Sequence, residues 1–290
     1  HSLLQAIPEQ TTLVLVGDVD QLPPVGPGQV LRHLIESAIA RVVRLSQVFR
    51  QAQQSHIVRG AHQILDGCPP TPSPPHHRGA GELFVVATSD PDVALRKLRE
   101  MLPRLSGAYG LQPQRDLQVL SPMRRGPLGT ERLNEFLQAE INPSTARTQV
   151  PGQPRAGDRV MQLRNDYDKE VYNGDLGEVR RVQGGVTYVH FEGREVKYEG
   201  EALKDLTLAY AATVHKVQGS EFPAVVLVLH GSHHVLLNRA LTYTAVTRAR
   251  QLVVVLGDQR ALGRAVRNAH SYECQSHLVE RLRAEANPEH

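Results

Sequence analysis

Short apolar runs alternate with longer segments of helical period along most of the chain. The runs are rich in β-branched residues, which is typical of strands buried on both faces of a parallel sheet. The strands predicted from these runs are residues 13–17, 41–45, 82–87, 116–121, 224–230 and 251–257. The helices predicted between them cover residues 28–39, 53–66, 90–105, 128–140, 236–249 and 259–268. The pattern therefore predicts an α/β fold in which helices cover both faces of a parallel sheet.

The pattern changes between residues 157 and 207. Short runs of alternating apolar and polar residues are separated there by NGD, QGG and EGR turn sequences, without a segment of helical period. This stretch is predicted to be a small antiparallel β-barrel inserted in the α/β unit. A second irregular segment, residues 68–81, contains five prolines and is predicted to be a surface loop.

Composition narrows the class of protein. The length of 290 residues suggests about two domains. The two cysteines, Cys68 and Cys274, argue against a disulfide framework and indicate a reducing compartment. The sequence lacks both a signal peptide and an apolar run long enough to cross a membrane, so a cytoplasmic protein without membrane contact is expected. The first residue is not Met, and we expect the chain to be a fragment.

Polar residues follow the first two predicted strands, at the edge where parallel sheets bind ligands. Asp18 and Gln21 lie in GDVDQLPPVGPG, where two prolines stiffen the loop and an amide could sense a phosphate or a water. Arg50 lies in SQVFRQ, and its guanidinium suits a phosphoryl oxygen. Two simpler interpretations stay open: the first segment could be an ordinary strand-to-helix loop, and Arg50 could be a solvated surface arginine.

Three later segments concentrate groups that suit phosphates. Arg124 and Arg125 form a basic patch after the strand at 116–121. Arg248 lies near the end of the helix at 236–249, where the helix dipole alone also favours a cation. The segment LAYAATVHKVQGSEF combines a cation, small donors and a glycine that permits close approach of a phosphate backbone or nucleotide. Its candidate residues are Thr213, His215, Lys216, Gln218, Gly219 and Glu221. The pairs among the fourteen histidines lack a third ligand at a motif spacing, so no metal site is predicted.

The order of these segments is more specific than any one of them. GDVDQLPPVGPG, VFRQ, SPMRRGPLGTERLN, TVHKVQGSEF and TYTAVTRAR follow one another along the chain. Together they resemble the later motifs of superfamily 1 helicases, most closely the RecD-like ATP-dependent DNA helicases, over residues 1 to about 260. The resemblance implies two RecA-like domains that clamp ATP, with single-stranded DNA lying across both. Residues 1–40 would end the first domain, 41–156 and 208–290 would form the second, and 157–207 would be an SH3-like insert.

The resemblance also assigns roles to individual residues. Gln21 would couple the γ-phosphate to the DNA-binding face, while Arg50 and Arg248 would act as arginine fingers. Asp18, Gly219 and Glu221 would lie at the nucleotide. The residues expected to contact DNA are Arg124, Arg125, Thr213, His215, Lys216 and Gln218, together with Tyr172 and Asn173 of the insert, where Tyr167 and Lys169 offer further groups for stacking and phosphate contact.

The sequence departs from the family pattern in one respect. It contains neither a G-x-x-x-x-G-K-[ST] phosphate loop nor an Asp-Glu pair after an apolar strand. The resemblance implies that ATP and Mg²⁺ are held mainly by an absent N-terminal half, so this chain alone is expected not to hydrolyse ATP. The expected partners are single-stranded DNA, duplex junctions and the missing first RecA-like domain, in a monomeric enzyme of DNA repair or recombination.

Other functions remain open from the residues. A non-catalytic nucleic-acid-binding module is one, although Gln21, Arg50 and Arg248 would then have no role. The helicase part of a conjugative relaxase, or a 3′→5′ relative within superfamily 1, is another. The resemblance implies 5′→3′ polarity, and nothing in the composition bears on direction.

Overall fold

The computed structural model describes residues 2–24, 26, 28–45, 54–74, 81–144, 150, 152–269 and 276–286. The chain divides into two compact units. One consists of residues 1–46 and 272–290, and the other of residues 47–271.

The helices and strands follow one another in the order expected of an interrupted α/β fold. The helices are α1 (Ser2–Ala6), α2 (Val30–Ser37), α3 (His56–Leu65), α4 (Pro91–Tyr109), α5 (Pro113–Asp116), α6 (Thr130–Ile141), α7 (Arg239–Val246), α8 (Gln259–Arg267) and α9 (Leu278–Ala286). The strands are β1 (Glu82–Ala87), β2 (Leu117–Ser121), β3 (Arg159–Gln162), β4 (Leu176–Gln183), β5 (Val186–Phe191), β6 (Arg194–Tyr198), β7 (Leu206–Leu208), β8 (Ala211–Thr213), β9 (Phe222–Leu229) and β10 (Ala249–Gly257). Short 3-10 helices span Gly200–Asp205, Val214–Val217 and Gly231–His233.

In the smaller unit, α9 packs against α2. Arg283 donates a hydrogen bond to the carbonyl of Glu36 at 2.7 Å. The strands predicted at 13–17 and 41–45 are wrong, because both segments are irregular. Val16 is 91% exposed and Leu45 is 93% exposed. A strand needs a neighbour to satisfy its backbone N–H and C=O groups, and the described part of this unit contains no other strand.

The larger unit contains a five-stranded parallel sheet in the order β1-β10-β9-β2-β8. Alternate residues of β9, such as Ala224 and Val226, join the apolar core formed with α4 and α6. Val225 and Leu227 point to the opposite face and are equally buried, on the side of α3, α7 and α8. A strand covered on both faces has no polar side, which explains why the sequence of β9 reads as a continuous apolar run. The four predicted strands of this unit and the predicted α/β fold are confirmed.

A separate antiparallel sheet lies between β2 and β8 in the sequence. Its five strands have the order β6-β5-β4-β3-β7, and β5 alternates half-buried and buried residues. The prediction of a small antiparallel unit in this region is confirmed; it is called the insert below.

A buried polar network holds the start of the insert against α6. The carboxyl group of Asp158 is fully buried and accepts hydrogen bonds from the amides of Gln138 and Asn142, at 2.5 and 2.7 Å. It also accepts from the Tyr210 hydroxyl at 2.9 Å. Burial, reinforced by the Asp158 charge, raises the pKa of Tyr210 above its usual range, so this hydroxyl keeps its proton and donates.

The predicted surface loop at 68–81 is only partly correct. Ser73 is buried and pairs with Leu83 of β1, donating its N–H to the Leu83 carbonyl at 2.7 Å. Its hydroxyl accepts the Leu83 N–H at 2.9 Å, so this stretch protects the outer side of β1. Residues 75–80 lie outside the described residues, as does Cys274, whereas Cys68 is an exposed free thiol. Among the described helices, none has the length and apolar character needed to cross a membrane.

Candidate nucleic-acid and nucleotide sites

Most predicted DNA contacts lie at the carboxyl edge of the parallel sheet. Thr213 ends β8 and is in register with Ser121, which ends β2. Arg124 and Arg125 follow β2 in a tight loop that leads into α6. Gly129 permits this loop, since a Cβ there would lie 2.5 Å from the carbonyl oxygen of Arg124. The sequence thus brings the basic patch and the Thr213 segment to neighbouring strand ends.

The two arginines of the patch share one counter-ion. Arg124 forms an ion pair with Glu131 at 2.8 Å, and Arg125 lies 4.0 Å from the same carboxylate. Both arginines remain highly exposed, with side-chain exposures of 75% and 83%. An exposed pair of this kind is weak, so a phosphate oxygen can compete with Glu131 for the guanidinium groups.

The insert reaches the same edge through one hydrogen bond. The Lys216 ammonium donates to the side-chain oxygen of Asn173 at 2.7 Å. Lys216 follows β8, whereas Asn173 lies in the loop between β3 and β4. Two residues that the sequence predicted separately as DNA contacts are therefore in direct contact in the structure.

A groove of about 300 Å³ separates α6 and β8 from the insert. Polar and charged side chains line it together with apolar ones, a combination that suits a nucleic acid strand. Among its lining residues are Arg124, Thr130, Asn134, Met161, Thr213 and Lys216.

Two exposed tyrosines lie in the same insert loop as Asn173. The rings of Tyr167 and Tyr172 meet edge to face, with centroids 6.1 Å apart, and they are 74% and 47% exposed. Exposed aromatic faces beside a cation suit base stacking. Lys169 does not add a second available cation, because its ammonium is 2.5 Å from the Asp166 carboxylate of its own loop.

His215 occupies the short 3-10 helix after β8. It is half-buried, and burial lowers the pKa of its imidazole below the ordinary value. At neutral pH the ring is therefore uncharged, so His215 can donate or accept a hydrogen bond but adds no positive charge to the groove.

A sharp turn joins the segment that follows β8 to β9, which begins at the opposite edge of the sheet. Ser220 donates its N–H to the carbonyl of Val217 at 3.1 Å, Gln218 has φ −57° and ψ 132°, and Gly219 has φ +84°. These angles define a type II turn, in which glycine is favoured at the third position. Glu221 follows the turn and is exposed.

Arg248 lies next to that turn, directly before β10. Asn238 caps the N-terminus of α7 through the Leu241 N–H, and the helix ends just before Arg248. The arginine is only 6% exposed. Its guanidinium donates to the carbonyls of Thr244, at 3.1 Å, and Ser220, at 3.2 Å. The predicted finger and the predicted nucleotide segment 219–221 thus meet, with the arginine packed against its own chain.

The other predicted nucleotide residues belong to the smaller unit or lie outside the description. Asp18 accepts hydrogen bonds from the N–H of Asp20, at 2.9 Å, and from the amide of Gln21, at 3.0 Å. The Gln21 side chain is therefore held within its own loop. Arg50 lies outside the described residues.

Some of these residues are of the kinds that suit part of an ATP site. Apart from its chain neighbours, no atom lies within 4 Å of a Cβ built at Gly219, so the turn is open on that side. A guanidinium and a glycine turn suit the terminal phosphate of a nucleotide. Within the described ranges, no cluster of three His, Cys, Asp or Glu side chains could hold a metal ion.

Sequence reasoning missed several residues that shape these sites. Glu131 pairs with the arginines of the basic patch, and Gly129 permits the loop that carries them. Asn134 binds the backbone of β8. All three lie in the GPLGTERLN part of the motif that was singled out for its arginines, so the segment was recognised without the roles of these residues.

Three family models match consecutive parts of the chain. The model of the ATP-dependent RecD-like DNA helicase SH3 domain matches residues 133–191, and that of the UvrD-like helicase C-terminal domain matches residues 208–256. An AAA domain model matches residues 1–73.

Comparison with known proteins points to the same family. The ATP-dependent RecD2 DNA helicase of Deinococcus radiodurans is 39% identical over 98% of this chain and 38% of its own length. The RecBCD enzyme subunit RecD of Mycolicibacterium smegmatis is 32% identical over 91% of this chain and 48% of its own length. The chain thus spans less than half the length of these relatives. A crystal structure of a Pif1 helicase from Candida albicans is 18% identical and superposes with a TM-score of 0.48, covering 94% of this chain and 67% of that one. The two helicase domain models and the RecD relatives together identify this chain as a member of the RecD-like superfamily 1 helicases that fits the C-terminal portion of such an enzyme.

Proposed function

We propose that this chain is the part of an ATP-dependent DNA helicase that holds single-stranded DNA and supplies an arginine for ATP hydrolysis. The observation that carries the proposal is the hydrogen bond between Lys216 and Asn173, which joins the motif after β8 to the insert. The RecD-like relatives, named as ATP-dependent DNA helicase and RecBCD subunit, support the activity.

Single-stranded DNA would lie across the carboxyl edge of the sheet and the insert loop. Lys216, Arg124 and Arg125 would contact phosphates, and Thr213 and Gln218 would position the same strand through hydrogen bonds. Tyr172 would stack on a base, because every base offers a π-face and stacking tolerates any sequence. His215, being neutral, would hydrogen-bond rather than attract the backbone. This division suits an enzyme that moves along DNA without reading its sequence.

Arg248 would act on the nucleotide at the opposite edge of the sheet. ATP, when bound, supplies the γ-phosphoryl group whose transfer drives the enzyme. The Arg248 guanidinium would leave the Ser220 carbonyl and donate to oxygens of that group, stabilising the charge that develops there. Glu221 and Gly219 would border the same space. Arg50 would act as a second arginine finger, and Gln21 and Asp18 would also serve the nucleotide.

The connection between the two edges is short. The chain passes from Thr213, at the carboxyl edge, to Phe222, at the amino edge, through the 3-10 helix and the type II turn. A shift of Lys216 on DNA would therefore be felt at Ser220, the residue that holds Arg248. This linkage offers a physical route by which DNA binding and ATP hydrolysis could influence each other.

Finer features of the proposal follow the RecD-like resemblance. We propose 5′→3′ movement, action at junctions of single-stranded and duplex DNA, a monomeric enzyme in the cytoplasm, and a role in DNA repair or recombination. ATP and Mg²⁺ would be held mainly by residues outside this chain, which alone would not hydrolyse ATP. The phosphate loop absent from this sequence is the reason for that last expectation.

The test is the binding of a fluorescent oligo(dT) strand and of a blunt duplex, measured by anisotropy over a range of salt concentrations. Oligo(dT) should bind more tightly than the duplex. Lys216→Ala should weaken that binding and lower the slope of log affinity against log salt by about 1, as expected for one lost phosphate contact. Lys204→Ala is the matched control, because Lys204 is an exposed lysine of the insert paired with Glu201 away from the groove. Equal loss in both variants would contradict the site.

A second test concerns Arg248. In an enzyme that hydrolyses ATP, Arg248→Ala should abolish turnover and leave most single-stranded DNA binding intact. Loss of both activities together would show that Arg248 serves the fold or the DNA site instead.

A further inference from the structure

We infer that Asn134 is a positioning residue that fixes the strand edge from which the DNA-contacting segment emerges. Its amide group forms two hydrogen bonds with the backbone of Ala211, and both residues line the groove described above. The assignment of that groove to DNA rests on the proposed function, whereas the positioning itself rests on the contacts alone.

β8 is an edge strand of the parallel sheet. It is three residues long and pairs with β2 on one side only. The N–H and C=O of Ala211 point away from β2, where a further strand would normally satisfy them. Asn134 occupies that place: its side-chain oxygen accepts the Ala211 N–H at 2.7 Å, and its NH₂ donates to the Ala211 carbonyl at 2.9 Å.

Asparagine is the side chain that matches this edge. One planar amide presents an acceptor and a donor side by side, as a neighbouring strand would. Aspartate would present two acceptors and repel the Ala211 carbonyl, and leucine would leave both backbone groups unsatisfied. Asn134 is 7% exposed, so water has little access to replace either bond.

The bond pair acts on the residues that follow. Thr213 lies two residues beyond Ala211, and Lys216, which reaches Asn173, lies three residues further on. The helix that carries Asn134 also carries Glu131, the partner of Arg124. The first turns of α6 therefore hold both strand ends of the carboxyl edge, and they set where Lys216 and Arg124 stand relative to each other.

The first test needs no DNA. Hydrogen exchange in the intact chain should show residues 211–216 exchanging on the order of tenfold faster in Asn134→Asp than in the wild type, because the bond to the Ala211 carbonyl is lost and a carboxylate oxygen faces that carbonyl instead. Ile64→Val is the control for a general loss of stability, since Ile64 is fully buried in α3 on the opposite face of the sheet. If Asn134→Asp does not fold, Asn134→Ala removes both bonds without adding a charge. Unchanged exchange at 211–216, or the same increase in the control, would overturn the inference.

The second test uses oligo(dT) binding and a double-variant cycle. Asn134→Ala, which removes both bonds without adding a charge, should lower affinity and reduce the salt slope by about 1, as Lys216→Ala does. Combining the two should weaken binding no further than Lys216→Ala alone, because Asn134 acts through that segment. If the two losses of affinity multiply in the double variant, Asn134 acts on DNA binding by a route that does not involve Lys216. If the wild-type chain does not bind oligo(dT) but the exchange result is as expected, the proposed function fails and the positioning of the segment stands.

Discussion

Replacement of Asp158 by alanine is predicted to be the most damaging single change at the base of the insert. Its buried carboxyl group accepts hydrogen bonds from Gln138, Asn142 and Tyr210 and from the backbone N–H of Arg155, the last at 2.8 Å. Asp158→Ala leaves these buried donors without their acceptor. A buried donor left unsatisfied costs about 1–3 kcal/mol, and local relaxation recovers part of the sum. We therefore expect a loss of about 3–5 kcal/mol in the free energy of unfolding, as several such penalties add up after this relaxation.

Urea denaturation followed by circular dichroism measures this loss. Glu178→Ala is the matched control, because Glu178 is a carboxylate of the insert whose ion pair with Arg180 is exposed, and such a pair contributes about 0.5 kcal/mol. The double variant Asn142→Ala/Asp158→Ala should lose clearly less than the sum of the single losses. A loss below about 1 kcal/mol for Asp158→Ala would refute the view that this network fastens the insert to α6.

Three further changes test separate parts of the account. Glu131→Gln frees Arg124 from its ion pair and should tighten oligo(dT) binding about two- to fivefold by anisotropy, given the usual strength of an exposed pair; weaker binding would contradict this. Burial lowers the imidazole pKa of His233 to about 4, so the folded chain keeps this ring neutral. The free energy of unfolding should therefore rise with pH between 4 and 6.5, by up to about 3 kcal/mol. In His233→Gln the midpoint of urea unfolding should change less with pH over that interval, and a pH profile like that of the wild type would count against this reasoning. Gly219→Ala forces a side chain into a left-handed conformation and should cost about 1 kcal/mol in a urea melt, with Gly107→Ala, at a helical glycine, as the control that should not destabilise.

The fold of the larger unit could be predicted because its signals are local. Runs such as AVVLVLH are long, β-branched and apolar on both faces, so only a doubly covered strand accommodates them. The insert could be predicted because its apolar and polar residues alternate with a period of two between glycine turns. The same kind of apolar run failed at residues 13–17, because a strand also depends on a neighbour that the run itself does not encode.

The sequence indicates which segments form the candidate sites but not which of their residues are in contact. The spacing of TVHKVQGSEF drew attention to Lys216, but its hydrogen bond to Asn173 joins residues 43 positions apart. Asn134 and Ala211 are separated by 77 positions. The hydrogen bond from Arg248 to the Ser220 carbonyl joins residues 28 positions apart. Such pairings depend on how strands and helices assemble, so they cannot be predicted from the local pattern of apolar and polar residues.

Photo-crosslinking of a 5-bromodeoxyuridine single strand to this chain, with the attachment sites mapped by mass spectrometry, tests the central claim most directly. The account predicts crosslinks at Tyr167 or Tyr172 of the insert and within residues 213–218, both reduced by an excess of unlabelled oligo(dT). Crosslinks confined to other surfaces, such as the exposed side of α8, would contradict the proposal that DNA lies between the insert and the carboxyl edge of the sheet.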